Sequence, residues 1–207
     1  DQIVLSSAAY GELWFLDHST TMEEAAGSSG ARYGRGGDLI YRWGNPLTTR
    51  SGTLDDATIY WQHDVRWITD GLPGQGNLLI YNNGTNRTLD GKAEPIGMDF
   101  QNSYSDLLEL RLPVRGNGSY NTRREPEVVW TWNADARENY FSPFMSGWDR
   151  LPNGNTIFVN AHNKQIIEVT ADGERGLAYV GPGPGRMYRV DTYAADYPGR
   201  AGTPLAR

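Results

Sequence analysis

The sequence predicts an all-β protein built from repeated four-stranded antiparallel units. The first observation is an internal repeat, because Leu72-Pro-Gly-Gln-Gly-Asn77 returns as Leu151-Pro-Asn-Gly-Asn155, each time followed by an apolar strand. The second is the abundance of turn and aromatic residues, with 25 Gly, 11 Pro and 7 Trp in 207 residues. The third is the alternation of apolar and polar residues over 106–112, which indicates a half-exposed strand. Repeated meanders of this kind are typical of a β-propeller rather than a single sandwich.

The predicted strands fall into three blocks, each bounded by Gly, Pro or Asn turn signals. The first block has strands at 2–7, 12–17 and 38–43, with one helical turn at 22–26 that Thr20 or Thr21 caps. The second block has strands at 59–68, 78–81, 106–112 and 127–132, and the third at 147–151, 156–159, 165–170 and 176–180. Residues 187–193 resemble the first strand of a further block.

These blocks predict a single partial propeller domain over residues 1–207 with about three blades. The blades cover 2–43, which lacks a first strand, then 59–132 and 147–180, while 187–193 starts a further blade. Three blades cannot close a ring, since propellers typically hold four to eight. An open arc leaves an apolar face bare at each end. We therefore expect the chain to be part of a larger ring that missing blades or a partner chain complete.

Composition excludes several classes of function. A net charge of -6 argues against a binder of the nucleic-acid backbone, and no apolar run is long enough for a transmembrane helix. The lack of cysteine excludes disulfides and thiolate metal sites. Motifs for serine hydrolases, zinc proteases, phosphate loops and EF-hands are also missing. We expect no cofactor, although loop carboxylates could bind calcium; these are Asp55, Asp56, Asp90 and Asp99.

Several strings, in chain order, resemble the arylsulfotransferase (aryl-sulfate sulfotransferase) family. They are Asp17-His-Ser-Thr-Thr21, Gly36-Gly-Asp-Leu-Ile-Tyr-Arg-Trp-Gly-Asn-Pro46, Gln62-His-Asp64, Gly71-Leu-Pro-Gly-Gln-Gly-Asn-Leu-Leu-Ile-Tyr-Asn-Asn-Gly84, Arg150-Leu-Pro-Asn-Gly-Asn-Thr156 and Tyr193-Ala-Ala-Asp-Tyr-Pro-Gly199. The resemblance spans nearly the whole chain. It implies the C-terminal half of a six-bladed propeller in an exported, extracellular or periplasmic protein. The chain departs from the family pattern at Gly176-Leu-Ala-Tyr179, where a Trp-containing strand is usual, so the third blade is expected to be looser.

The resemblance also implies an activity. Members of the family move a sulfuryl group from an aryl sulfate to a phenol through a sulfated histidine, with further His and Arg residues around the central cavity. The rival hypothesis is a non-catalytic extracellular propeller that serves as a binding or assembly module, because three histidines are few for a catalytic centre. A quinone-dependent dehydrogenase propeller is a weaker third option, since the Trp spacing is irregular and no cluster of calcium ligands stands out.

His63 is the first candidate catalytic residue. It lies on the first strand of a blade, which lines the channel of a propeller, and an imidazole there could act as nucleophile or stabilise charge on sulfuryl oxygens. The alternative is a histidine that backbone carbonyls satisfy where two blades meet. Asp64 is a poor partner for His63 because adjacent residues of a strand point to opposite faces, unless a bulge intervenes.

Arg150 is the second candidate, on the first strand of the next blade. Its guanidinium offers a planar fork of donors to sulfate oxygens, and the alternative is a salt bridge to a neighbouring blade, with Asp149 as a candidate partner. Weaker candidates of the same type are Arg66, Arg186 and Arg189. His18 is a candidate for the cavity rim or belongs to a turn with Ser and Thr caps. His162 falls in a predicted hairpin turn and is expected to be exposed.

Overall fold

The computed structural model describes residues 1–87, 103–133, 140–194 and 197–200, and antiparallel strands dominate them. The strands are β1 (Gln2–Ser7), β2 (Glu12–Asp17), β3 (Tyr41–Trp43), β4 (His63–Trp67), β5 (Leu78–Asn82), β6 (Asp106–Arg111), β7 (Glu127–Trp132), β8 (Gly147–Arg150), β9 (Thr156–Asn160), β10 (Gln165–Val169) and β11 (Arg175–Val180). Two single-turn helices are α1 (Met22–Ala25) and α2 (Pro46–Thr49), and short 3₁₀ segments are Ala8–Tyr10, Leu54–Asp56 and Pro198–Arg200.

The strands form three sheets in which every neighbour is antiparallel. Sheet 1 has the order β1-β2-β3, sheet 2 the order β4-β5-β6-β7, and sheet 3 the order β8-β9-β10-β11. The all-β prediction is therefore confirmed. Each sheet is a simple meander, and the edge strands β1, β4 and β8 lie against one another from sheet to sheet. That arrangement is the one that a propeller requires, although the propeller itself stays a prediction.

The repeated Gly-Asn pair has the same structural role in sheets 2 and 3. Gly76 (φ 84°) and Gly154 (φ 90°) both adopt the left-handed conformation that glycine accepts without strain. The following Asn77 donates from Nδ2 to Glu109 on the third strand of its sheet, at 2.7 Å. Asn155 donates in the same way to Glu168, also at 2.7 Å. The repeat therefore encodes a turn between the first two strands of a sheet, and a side-chain hydrogen bond joins that turn to the third strand.

Two apolar clusters hold the three sheets together. One joins sheet 1 to sheet 2 and the other joins sheet 2 to sheet 3, so every residue of β5 is buried. Such complete burial explains why β5 is a continuous apolar run in the sequence. The outer faces of sheets 1 and 3 are different, because Leu5 is 46% exposed and Tyr179 is 48% exposed. Each end of the array thus presents apolar side chains to solvent.

Helix α1 follows the local capping signal. Thr21 accepts from the backbone N–H of Glu24, and the Glu24 carboxylate accepts from the N–H of Thr21, which is a capping box. The predicted helical turn is confirmed, with Thr21 as its cap. In the described part of the chain, residues 187–193 lie outside every strand. A strand is defined by hydrogen bonds to a neighbour, so their role as the start of a further blade stays a prediction.

Strand β4 begins later than the predicted 59–68. Trp61 has φ 55°, a left-handed conformation that an extended strand cannot contain, so regular pairing starts at His63. Before that point, the N–H of Tyr60 donates to Oδ1 of Asn82 at 2.7 Å instead of joining a backbone ladder. The irregular entry to β4 is the part of the fold that shapes the candidate site.

Candidate functional site

His63 lies in a β-bulge at the start of β4. The pairing of β4 with β5 shifts between His63 and Arg66, and Asp64 between them has φ 46°. Trp61 and Asp64 are therefore left-handed on either side of a partly buried histidine. Left-handed conformations are costly for residues other than glycine and concentrate at functional sites. The bulge that the sequence left open as a possibility is present, although it turns Asp64 towards other partners than His63.

The hydrogen bonds of His63 determine which ring nitrogen carries its proton. Nδ1 lies 2.7 Å from Oδ1 of Asn83 and 3.0 Å from the backbone carbonyl of Trp61. The amide of Asn83 cannot be reversed, because its Nδ2 already donates to the carbonyls of Ser142 and Met145 at 2.7 and 3.1 Å. Both neighbours of Nδ1 are thus acceptors, and Nδ1 is the donor. In the neutral ring, Nε2 then carries the free lone pair.

A buried polar layer holds Asn83 in place. Asn83 and Ser142 have no exposed surface. The hydroxyl of Ser105 donates to the Asn83 carbonyl at 2.8 Å and accepts from the backbone N–H of Ser142 at 2.9 Å. Ser146 donates to the Ser142 hydroxyl and accepts from the backbone N–H of Ala161. Because these buried groups form hydrogen bonds with one another, they hold the Asn83 side chain in place, and Asn83 in turn fixes the orientation of the His63 ring.

Asp64 connects the His63 bulge to sheet 3. Its carboxylate accepts from the backbone N–H of Trp148 at 2.9 Å, and its carbonyl accepts from the Trp148 indole at 2.6 Å. Arg66 pairs with Asp64 at 2.8 Å, and its guanidinium lies 4.4 Å from the Trp148 ring centre and donates to the Trp148 carbonyl. A cation therefore lies three residues along β4 from His63, held by the Asp64 carboxylate and the aromatic face of Trp148.

Two further arginines lie near this end of β8. Arg189 lies next to Gly147, where a Cβ would be 3.3 Å from the Arg189 Cγ atom. Hydrogen bonds to Asp191 raise the pKa of Arg189, although partial burial opposes them. The charges of Asp191, Asp64 and Asp149 raise the pKa further. Arg186 lies 4.5 Å from the ring centre of Phe144, in the loop that precedes β8. The segment that follows sheet 3 thus returns alongside β8 and brings positive charge to the neighbourhood of the His63 bulge.

Arg150 lies apart from this group. Its Nη2 donates to Oε2 of Glu109 at 2.6 Å, both side chains are buried, and Nη1 lies 3.4 Å from the Pro73 carbonyl. In the described residues, no hydrogen bond or ion pair joins Arg150 to His63. The alternative of a salt bridge to a neighbouring sheet is therefore correct, but Asp149 is not the partner. Asp149 instead accepts from the backbone N–H of Thr192 at 2.9 Å.

The other two histidines lie in exposed turns. His18 has 60% of its side chain exposed and contacts Oδ1 of Asp1 at 3.2 Å. The adjacent turn is organised by Asp17, which accepts from the backbone N–H and the hydroxyl of Ser19. His162 is exposed in the hairpin between β9 and β10, as the sequence predicted. Within the described residues, no hydrogen bond or ion pair joins His18 or His162 to His63.

The structure describes only part of the set of carboxylates considered for calcium. Asp56 accepts from the backbone N–H of Thr53 at 2.8 Å, and Asp90 and Asp99 lie outside the described residues. Across residues 1–87, 103–133, 140–194 and 197–200, no group of three or more His, Asp or Glu residues is arranged to hold a metal ion. Loop calcium thus stays a prediction.

Sequence reasoning did not identify Asn83, the residue on which the orientation of His63 depends. Its only signal was its position at the end of a buried strand, in an Asn-Asn-Gly run that also fits an ordinary turn. Comparison with family models, with curated proteins and with solved structures finds no match for this chain. Within the described residues, no helix is long and apolar enough to span a membrane.

Proposed function

We propose that this chain belongs to a sulfuryl-transferring propeller in which His63 is the nucleophile. The observation that carries the proposal is the fixed protonation of the ring, because Asn83 and Trp61 hold the proton on Nδ1 and leave the Nε2 lone pair free. A nucleophilic histidine needs an unprotonated nitrogen of known direction. The choice of a sulfuryl group rests on the family resemblance and not on the site alone.

The proposed reaction has two halves. First, Nε2 of His63 attacks the sulfur of an aryl sulfate, the bond from sulfur to the aryl oxygen breaks, and its electron pair leaves with the phenolate. The carbonyl of Trp61 and Oδ1 of Asn83 stabilise the positive charge on the N-sulfo-imidazolium ring through Nδ1–H. Second, the oxygen of an acceptor phenol attacks the sulfur, the N–S bond breaks, and the electron pair returns to Nε2. The acceptor proton passes to solvent.

Arginines near the bulge supply the charge that this chemistry needs. The three sulfuryl oxygens carry negative charge throughout transfer, and preorganised cations lower the barrier when they face that charge. Arg66 and Arg189 are the best candidates for this role, with Arg186 as a third. Arg66 and Arg189 are themselves paired, with Asp64 and Asp191, but both side chains stay partly exposed. Arg150 is not a candidate, because it is buried against Glu109 and has no contact with His63 in the described residues.

A small, partly open pocket supports an aromatic substrate, and both apolar and polar residues line it. It has a volume of about 150 Å³ and adjoins Trp61, and Tyr10, Ile59 and Tyr60 also line it. A cavity of roughly this size in another protein holds benzene, so the space suits one aromatic ring. In this proposal the propeller is exported, and missing blades or a partner chain complete the ring around the site.

The experiment is an assay with p-nitrophenyl sulfate as donor and phenol as acceptor. We expect nitrophenol release from the wild-type protein and its loss in His63→Asn. The matched control is His162→Asn, which removes an exposed imidazole from a hairpin turn and should leave the rate unchanged. Release that His63→Asn does not reduce would remove His63 from the mechanism. Absence of release from the wild type would exclude this donor and acceptor pair.

A binding or assembly module is the second candidate function. The observation that favours it is the exposed apolar surface on both outer sheets, which includes Leu5 and Tyr179. Exposed apolar faces of this kind mark interaction surfaces in soluble proteins. A protein of this class should form a stable assembly and release no nitrophenol, so the same assay separates the two candidates.

A further inference from the structure

Three Asn-x-Ser/Thr triplets occur in the sequence, at Asn83-Gly-Thr85, Asn86-Arg-Thr88 and Asn117-Gly-Ser119. This is the pattern at which an oligosaccharyltransferase attaches a glycan to the side-chain nitrogen of the Asn. Such triplets also arise by chance in turns, so the pattern alone assigns no site. A glycan is bulky and hydrated, and a folded protein carries it only where the Asn amide is open to solvent. The surroundings of each Asn therefore distinguish the three triplets.

The fold closes the first triplet to modification. Asn83 has no exposed surface, and its Nδ2 donates to the carbonyls of Ser142 and Met145 at 2.7 and 3.1 Å. Thr85 is also buried, and its hydroxyl donates to the carbonyl of Pro143 at 2.7 Å. A sugar on Nδ2 of Asn83 would displace one of its hydrogens and bring a polar ring among buried groups. The cost of that burial is incompatible with this packing.

The second triplet lies in a packed part of the chain. Oδ1 of Asn86 is buried and has no hydrogen-bond partner within the described residues. The next residue, Arg87, is held in a buried ion pair with Asp106 at 3.0 Å. Thr88, whose hydroxyl would complete the triplet, lies outside the described residues. The structure therefore gives no support to a glycan at this triplet.

The third triplet is open. Asn117 is exposed in the turn between β6 and β7. Its Oδ1 accepts from the backbone N–H and the hydroxyl of Ser119, at 3.1 and 2.8 Å. In the described part of the chain, its Nδ2 takes part in no hydrogen bond, in contrast to Nδ2 of Asn83. The turn thus brings the hydroxyl to the amide oxygen and leaves the amide nitrogen available.

The hairpin that carries Asn117 is anchored away from the candidate site. Val114 pairs with Tyr120 across the hairpin. Tyr120 is 5% exposed, and its ring stacks on Tyr41 with the centres 4.9 Å apart. Among the described residues, no hydrogen bond or ion pair joins this hairpin to His63. A glycan at the turn would therefore leave both the core and the candidate site undisturbed.

We infer that Asn117 is a site of N-glycosylation. The inference rests on the export that the proposed function includes, because this modification belongs to secreted proteins. The co-substrate is a lipid-linked oligosaccharide. Nδ2 of Asn117 attacks C1 of its first sugar, the bond from C1 to the phosphate oxygen breaks, and the electron pair leaves with the lipid pyrophosphate. A base of the oligosaccharyltransferase takes the proton that Nδ2 loses.

The experiment produces the chain behind an export signal in a eukaryotic host cell and measures its intact mass before and after peptide N-glycosidase treatment. Both the secreted and the retained chain are measured, so poor secretion does not hide the result. We expect one glycan per chain, and a peptide map should show Asp in place of Asn117 after its removal. Asn117→Gln and Ser119→Ala should each abolish the glycan. Ser119→Thr should keep it, because Thr supplies the same hydroxyl.

Asn153 is the matched internal control. It is exposed in an Asn-Gly turn, and its Oδ1 accepts from the backbone N–H of Asn155 at 3.0 Å, as in the turn at Asn117. Position 155 has no hydroxyl, so Asn153 should stay unmodified. An unmodified Asn117 would overturn the inference. So would a glycan on Asn83 in a chain whose circular dichroism shows intact sheets.

The nitrophenol assay on the same material separates this inference from the proposed function. Asn117→Gln should release nitrophenol at the wild-type rate, because the turn has no contact with His63 in the described residues. A chain that releases nitrophenol but carries no glycan would overturn glycosylation alone. A glycosylated chain without release would overturn sulfuryl transfer alone.

Discussion

Glu109 and Arg150 form a buried ion pair that fastens sheet 3 to sheet 2. Their Oε2 and Nη2 atoms lie 2.6 Å apart, and the two side chains are 7% and 8% exposed. The other oxygen of Glu109 accepts from Asn77 in the repeated turn. One carboxylate therefore ties together the turn between β4 and β5, the strand β6 and the neighbouring sheet. This pair assigns Arg150 to the packing of the sheets.

Removing one member of the Glu109–Arg150 pair should destabilise the protein more than removing both. Arg150→Met leaves the Glu109 carboxylate buried without a counter-ion, which costs about 3–5 kcal/mol of unfolding free energy. The double variant Glu109→Leu/Arg150→Met leaves no buried charge and should recover most of that loss. The measurement is urea unfolding monitored by tryptophan fluorescence.

The matched control for that series is the exposed pair of Arg111 and Glu127, whose side chains are more than half exposed. Arg111→Met should change the unfolding free energy by at most about 1 kcal/mol, because solvent already screens such pairs. A double variant at 109 and 150 that is as unstable as the sum of its single variants would contradict the assignment of a coupled buried pair.

Asn83 should control the protonation of His63. In the wild type at a pH where the ring is neutral, ¹⁵N spectra of the imidazole should show Nδ1 bonded to hydrogen and Nε2 free. Asn83→Leu removes the acceptor at 2.7 Å, so the Nδ1–H form should lose its preference and nitrophenol release should fall. It also removes the Nδ2 donor from the carbonyls of Ser142 and Met145, and the loss of a donor from a buried carbonyl costs about 1–3 kcal/mol.

Ser105→Ala is the comparison variant for that experiment. It removes a hydroxyl from the same buried layer without touching the His63 ring. Its stability should fall, while the ¹⁵N pattern of His63 should stay as in the wild type. If Asn83→Leu and Ser105→Ala altered the ring signals equally, general loosening of the layer would explain the effect and the specific role of Asn83 would be wrong.

Local patterns in the sequence determine most of the strand positions. β7 occupies the predicted 127–132, and the hairpin at His162 and the cap at Thr21 lie where turn and capping residues indicate. These features depend on alternation and on short-range hydrogen bonds, which the sequence displays directly. The order of the strands within each sheet followed because neighbouring strands of a meander are also neighbours in the chain.

The candidate site depends on contacts that no local pattern displays. Asn83 reaches the carbonyl of Ser142 across 59 residues, and Asp64 reaches Trp148 across 84. The left-handed backbone at Trp61 is also invisible in the sequence, since it is neither glycine nor asparagine. Arg150 was assigned wrongly for the same reason. Its position on the first strand of sheet 3 suggested a donor to a ligand, but its partner Glu109 lies on sheet 2, far away in the sequence.

Glu12 should make part of the stability dependent on acidity. Burial on its own raises the pKa of Glu12, but hydrogen bonds from Arg42, Thr48 and Trp14 outweigh that effect and lower the pKa below its usual 4.5. A carboxyl with a lower pKa in the folded state stabilises the fold above the unfolded pKa. That contribution is lost as the pH falls through the folded pKa. Acid unfolding should therefore include a component from Glu12.

The measurement is the unfolding free energy in urea from neutral pH down to below pH 4.5, the usual pKa of this carboxyl. Glu12→Gln should be less stable than the wild type near neutrality and should show a shallower decline on acidification. Thr48→Val removes one of the donors and should give an intermediate slope. A slope in Glu12→Gln equal to that of the wild type would show that other carboxyls cause the acid dependence.

Replacement of Gly84, next to the candidate site, should strongly destabilise the protein. Gly84 has φ 74°, and a Cβ there would lie 1.8 Å from the backbone carbonyl oxygen of Tyr104. Gly76 has a similar φ of 84° but open space around the Cβ position, so it isolates the cost of the backbone conformation. Gly76→Ala should cost about 1–2 kcal/mol, whereas Gly84→Ala should cost at least about 4 kcal/mol because a backbone must also move.

The effect on function should separate the two glycines further. Gly84 follows Asn83 directly, and its N–H donates to the Tyr60 carbonyl at 2.8 Å, so a displaced Gly84 moves the amide that holds His63. Gly84→Ala should therefore lower nitrophenol release even at temperatures where it stays folded, and Gly76→Ala should not. Urea unfolding gives the stability and the aryl sulfate assay the activity. Equal losses of stability in the two variants would mean that the close approach of Gly84 to Tyr104 is not required by the fold.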